Sequence, residues 1–234
     1  MDSTQDAEVF SRCSLLAVMG SVAYGLAREG SDLDRLGVYV ADIRDVVGLR
    51  GQKIVEESIV HVDPDYQIHE VGKFLRLGLK ANPTILELLW AKEYIAKDET
   101  GERLIGLRGY LLSEKMVRSS YGGYVLGQLN RIKNRADNAP DEHTTGRVSK
   151  HARHCFRLLR SGEMLLRTGN MTLDVGDERE EIFTMGELAV TDFTRFETMV
   201  KDRVERLDGI NSVLGEYPDT ERVNRELVEI RLSK

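Results

Sequence analysis

The strongest constraint on how this chain folds is the stretch SLLAVMGSVAYGLAREGSDLDRLGVYV, residues 14–40. Residues 14–19 form an apolar run that stops at Gly20, the pattern of a buried strand closed by a tight turn. Residues 22–29 follow as a short helix. Residues 33–41 alternate in polarity and carry Val38, Tyr39 and Val40, so a second strand is expected there. Ser31-Asp32-Leu33-Asp34 places two carboxylates two apart on an extended segment, hence on one face. A strand–turn–helix–strand frame results, with Gly-Ser at its first corner and two aspartates leading into its second strand.

Two further extended segments are expected at 52–62 and 65–69. Val71, Phe74, Leu75 and Leu79 fall on one helical face over 70–81. Asn82-Pro83 ends that helix, because the residue before proline is biased away from the helical region. Another helix begins at 84–92, and a hinge is expected near 97–112. Beyond it the pattern is helical at about 114–136, 146–168, 178–187, 191–214 and 219–232. Strands first and helices later is an α+β order: a small mixed sheet flanked by helices over residues 1–110, then a mainly helical domain over 111–234.

Charge is distributed unevenly along the chain. The net −6 divides into −7 over residues 1–102, +8 over 103–170 and −7 over 171–234. A basic middle between acidic flanks suits an anionic ligand, or else a solvated basic face. No apolar run is long enough to span a membrane, and the acidic start MDSTQDAEVF lacks the apolar core of a signal peptide. A cytoplasmic protein with Cys13 and Cys155 as reduced core thiols is expected. The pair His151/His154 lacks the companion ligands of a zinc site.

The chemistry concentrates at the frame. Gly20 allows close backbone approach, and Ser21 opens a helix whose free N–H groups, with the Ser hydroxyl, can hold a phosphate. Asp32 and Asp34 are hard oxygen donors suited to Mg²⁺, singly or as a two-metal pair that activates an attacking hydroxyl and steadies a leaving pyrophosphate.

The pattern GS-x-A-Y-G-L-x4-S-D-x-D-x2-G-V-Y-V resembles the DNA polymerase β-type nucleotidyltransferase superfamily. Within it, the chain is most similar to a bacterial and phage group named for an association with RNA repair. DYQIHEVGKFLRLGLKANPTILELLW (65–90) and KHARHCFRLLRSGEMLLRTGNMTL (150–173) resemble that group's second and third blocks. The resemblance spans roughly residues 14–190.

The resemblance implies a third carboxylate on an adjacent strand. Asp65 is preferred, because it leads with the right spacing into Lys73 and Asn82-Pro83. Asp63 is the rival at the same parity, and Glu70 a weaker option. The resemblance also implies nucleotide contacts from Gly20, Ser21, Lys73 and the row Lys150, Arg153, His154 and Arg157. That row falls at i, i+3, i+4 and i+7 on one helical face. Lys73 can equally be a lysine extending past apolar neighbours, and the row a solvated face. Trp90, Tyr121 and Tyr124 suit core packing more than base stacking.

The implied activity is transfer of a nucleoside monophosphate from an NTP, ATP among them, to an acceptor hydroxyl. Mg²⁺, with Mn²⁺ as substitute, would be held by Asp32, Asp34 and Asp65. An RNA 3′ end is the expected acceptor. A protein side chain modified by an antitoxin-like enzyme, a small molecule, and a catalytically inactive nucleotide-binding module are the alternatives. Oligomeric state is not legible.

Overall fold

The apolar run that ends at Gly20 becomes β1 (Cys13–Val18), buried along almost its whole length. It is flanked by β2 (Arg35–Tyr39) and the two-residue β5 (Ala96–Lys97), both antiparallel to it. β3 (Ser58–Val62) and β4 (Asp65–Glu70) form a hairpin, and β4 runs parallel to β2. The strand order is therefore β3-β4-β2-β1-β5, a mixed five-stranded sheet. The computed structural model describes residues 3–49, 55–136 and 142–233. Of the expected strand 52–62, Ser58–Val62 forms, and 52–54 lie outside the described residues.

One sheet face, with Leu16, Tyr39, Tyr66 and Ile68, packs on Val9 and Phe10 of α1 (Ser3–Ser11). The expected helix over 22–29 is a single turn, α2 (Gly20–Ala23), after which Gly25 and Gly30 take positive φ and bend the chain back to β2. A short α3 (Ile43–Val47) follows β2. α4 (Val71–Gly78) begins directly after β4, with Glu70 capping it through Gly72 N–H. Asn82 does not merely end α4: its side chain accepts from Ile85 N–H, and Pro83 opens the first turn of α5 (Pro83–Leu88).

The segment expected as a hinge near 97–112 is ordinary secondary structure. Asp98 caps α6 (Glu99–Gly106) and also accepts from the Ser14 hydroxyl on β1. α7 (Arg108–Leu111) follows, and Leu104, Leu107 and Leu111 are fully buried or nearly so.

The chain divides into two compact units, residues up to Leu112 with the segment from Pro218 onward, and Ser113–Tyr217. The helical stretch expected from 111 onward is shared between these two units. The last helix, α12 (Thr220–Leu232), belongs to the sheet unit, where Arg231 pairs with the buried Glu70 at 2.9 Å and Arg103 pairs with Glu226 at 2.5 Å. The second unit is built on the long helices α8 (Glu114–Ala136) and α9 (Glu142–Thr168), with α10 (Arg179–Thr191) and α11 (Phe193–Asp208) packed beside them. Asp192 caps α11 through Arg195 N–H, so the helix expected over 191–214 starts at that cap and ends at Asp208. α9 begins at Glu142, inside the loop expected at 138–146; residues 137–141 lie outside the described residues.

Candidate active site

The first corner of the frame is built around Gly20. Its φ is +62°, and a Cβ placed there would sit 1.8 Å from Asp34 Oδ2. Glycine is thus required twice, by backbone conformation and by the close approach of a carboxylate. Met19 N–H donates to Asp34 O at 2.8 Å, which extends the β1–β2 ladder to Asp34. The backbone around the second aspartate is in this way tied to the residue before the glycine turn.

Strand register brings in the third carboxylate. Arg35 pairs with Tyr66 across the parallel β2–β4 ladder, so Asp34 and Asp65, one residue earlier on each strand, stand level. Arg35 lies over the Phe10 ring at 5.7 Å, and Tyr66 meets the same ring edge-on at 5.3 Å. The preceding residues therefore project to the opposite face. Asp34 is half-buried, while Asp32 and Asp65 are exposed. Asp63 lies outside the ladder, in the two-residue turn Asp63-Pro64 between β3 and β4. Glu70 is buried at the far end of β4 and is committed to Arg231 and Gly72 N–H.

Among the described residues, no three His, Cys, Asp or Glu side chains converge into a ready-made metal cage. Asp32, Asp34 and Asp65 are hard carboxylate donors of the kind Mg²⁺ takes, an ion that completes its shell with water and substrate phosphates. The Gly20 cradle, empty of side chain, is where the Asp34 carboxylate is brought against the turn.

Lys73 is set apart from this cluster. Its ammonium donates to Ser58 Oγ at 2.8 Å, and that hydroxyl also contacts His69 Nδ1 at 2.7 Å. Ser58 pairs with His69, four residues along β4 from Asp65, or about 13 Å at strand rise. Burial, and then the neighbouring Lys73 charge, push His69 down to about 4.

The row on α9 lies in the second unit and is not uniform. Lys150 is exposed. Arg153 packs over the Phe183 ring at 4.7 Å. Arg157 is 2% exposed and contacts His154 Nδ1 at 3.0 Å. Burial, followed by the charges of Arg157, His151, Arg131 and Lys150, pushes His154 down to about 3, so it is a neutral imidazole. His151 is bonded to Gln128 on α8 at 2.7 Å. Tyr121 and Trp90 are core residues, whereas Tyr124 is exposed. Cys13 and Cys155 are free and buried, with burial raising each thiol to about 12.

One contact near the turn was not anticipated. Tyr24, at the end of α2, donates its phenol to Glu87 Oε2 at 2.6 Å. The signal was present in ILELLW, where Glu87 is the one charge in an apolar run.

A small mixed sheet that carries paired aspartates beside a glycine turn defines the polymerase β type of nucleotidyltransferase. The chain belongs to the RNA repair pathway DNA polymerase beta family, whose model matches residues 4–190. α11 and α12 lie outside that match. No curated protein and no solved structure matches the chain. Among the described residues, no helix is long and apolar enough to cross a membrane.

Proposed function

We propose that the chain transfers a nucleoside monophosphate from an NTP to the 3′ hydroxyl of an RNA, releasing pyrophosphate. The observation that carries this is the level placement of Asp34 and Asp65 on neighbouring parallel strands, with the Gly20 turn against Asp34. Asp32, Asp34 and Asp65 would hold Mg²⁺, which when bound supplies positive charge to the phosphates and acidifies the acceptor hydroxyl. The acceptor oxygen attacks the α-phosphorus, the bond to the β-phosphate oxygen breaks, and pyrophosphate leaves with that electron pair. Asp65 is assigned the hydroxyl proton. The N–H groups of Gly20 and Ser21, with the Ser21 hydroxyl, are assigned the β- and γ-phosphates. Within the second unit, Lys150 is the exposed cation of the α9 row, whereas Arg157 is buried beside His154 and Arg153 packs on Phe183. Lys73 is assigned a supporting role through Ser58.

An RNA acceptor is favoured by the exposed cations Arg131, Lys133, Arg147 and Lys150 on α8 and α9. The test supplies each of the four NTPs, labelled at the α-phosphate, with Mg²⁺ to total RNA and to total protein. Label is expected in the RNA, at 3′ ends. Label confined to protein would replace the acceptor with a side-chain hydroxyl, and no label in any fraction would overturn nucleotidyl transfer itself.

A further inference from the structure

We infer that Glu87 is a positioning residue of this site, acting through Tyr24 to hold the Gly20 turn against the Asp34 carboxylate. The inference rests on the nucleotidyl-transfer assignment above. Glu87 is 1% exposed, and its neighbours Leu86 and Leu88 are fully buried. A carboxylate in such surroundings is costly unless it is hydrogen-bonded, and an apolar residue of similar volume would serve packing as well. The Glu87 carboxylate instead accepts the Tyr24 phenol at 2.6 Å, the length of a strong hydroxyl–carboxylate bond.

Tyr24 closes the single turn that Gly20 opens, and its own N–H donates to Gly20 O at 3.2 Å. The turn is therefore fastened at both ends. Gly20 abuts Asp34, and four residues later Tyr24 is tied to Glu87. Glu87 itself sits on a firm base. α5 is capped by Asn82, opened by Pro83, and anchored by Ile85, Leu86 and Leu88 in the core. Loosening the phenol–carboxylate bond should let the turn drift from Asp34, weakening the hold on the nucleotide's phosphates.

The test measures initial rates of labelled NTP transfer against NTP concentration at fixed Mg²⁺, using the full chain. Wild type is compared with Tyr24→Phe, Glu87→Gln and, as a stability control, Arg103→Gln, which removes the ion pair with Glu226 elsewhere in the same unit. A positioning role raises the KM for NTP by about tenfold in Tyr24→Phe, since uniform binding of the nucleotide is lost. Glu87→Gln keeps an acceptor oxygen for the phenol and should hold KM within about threefold of wild type. A merely structural role lowers the folded fraction, and so the apparent kcat, without moving KM; that is the behaviour expected of Arg103→Gln. An unchanged KM in Tyr24→Phe, whatever its Tm, overturns the positioning role. No transfer by the wild-type chain overturns the underlying assignment instead, so the two failures are distinguishable.

Discussion

At Gly20 two demands meet in one residue, a left-handed backbone and room for the Asp34 carboxylate. Gly20→Ala should cost roughly 1–3 kcal/mol of stability from the backbone conformation. It should also abolish transfer, because the turn and the carboxylate must part; a variant with wild-type turnover would contradict the geometry described for this corner. The rival carboxylates separate in the same way. Asp65 stands in the ladder level with Asp34, whereas Asp63 is in the hairpin turn. Asp65→Asn is expected to lose transfer by several orders of magnitude while Asp63→Asn keeps it, and the opposite ranking in a rate assay would reverse the assignment. Two buried histidines make a pH prediction. His69 and His154 have folded-state values near 4 and near 3, below the ordinary 6.5. In the unfolded chain each takes up a proton as the pH falls through 6.5, while in the folded chain each stays neutral until much lower. The unfolded state thus binds more protons in that window, and stability is full above pH 6.5 and declines as the pH falls toward 4. Thermal unfolding at pH 7 and pH 5 should show a lower Tm at pH 5, with a smaller difference in His69→Gln. A flat profile would mean that the histidines are not buried as described.

Elements differ in how clearly their sequences announce them. β1, β2 and β4 were readable because each couples an apolar or alternating run to a punctuating residue: Gly20, the Ser-Asp-x-Asp entry, or Pro64. β5 was not, since two residues carry no period and Ala96–Lys97 becomes a strand only by pairing with Leu15 and Leu16. α2 was overestimated because Gly25 and Gly30 stop a run that otherwise looks helical. The row on α9 has the spacing of one face, but tertiary packing divides it: Arg157 is drawn inward with a neutral His154, and Arg153 is laid on Phe183. The greatest gap concerned α12. Its charged sequence gave no sign that Arg231 would return to Glu70, the residue that ends β4 and caps α4. Arg231→Ala should cost about 3–5 kcal/mol, the usual penalty for leaving a buried carboxylate without its partner. Urea unfolding checks this, and a loss below ~1 kcal/mol would mark α12 as an appendage to the sheet unit.

At the scale of the molecule, the order of strands before helices made the α+β class legible. The return of α12 to the first unit rests on long-range ion pairs, Arg231 with Glu70 and Arg103 with Glu226, that no local pattern encodes. The family match ends at residue 190, yet the sheet unit needs residues from beyond it. The uneven charge along the sequence does not follow this division, since the second unit takes in both the basic middle and much of the acidic stretch after it; Asp32, Asp34 and Asp65 lie in the first unit, and the exposed cations of α8 and α9 lie in the second. The central claim is that the level pair Asp34 and Asp65, with Asp32, carries nucleotidyl transfer. Its most direct test is pyrophosphate release coupled to α-phosphate label incorporation into RNA, compared between wild type and Asp34→Asn at matched Tm. One pyrophosphate per label incorporated by the wild type, and loss of both signals by about a thousandfold or more in Asp34→Asn, are the predicted results. Equal transfer by the two proteins would contradict the claim.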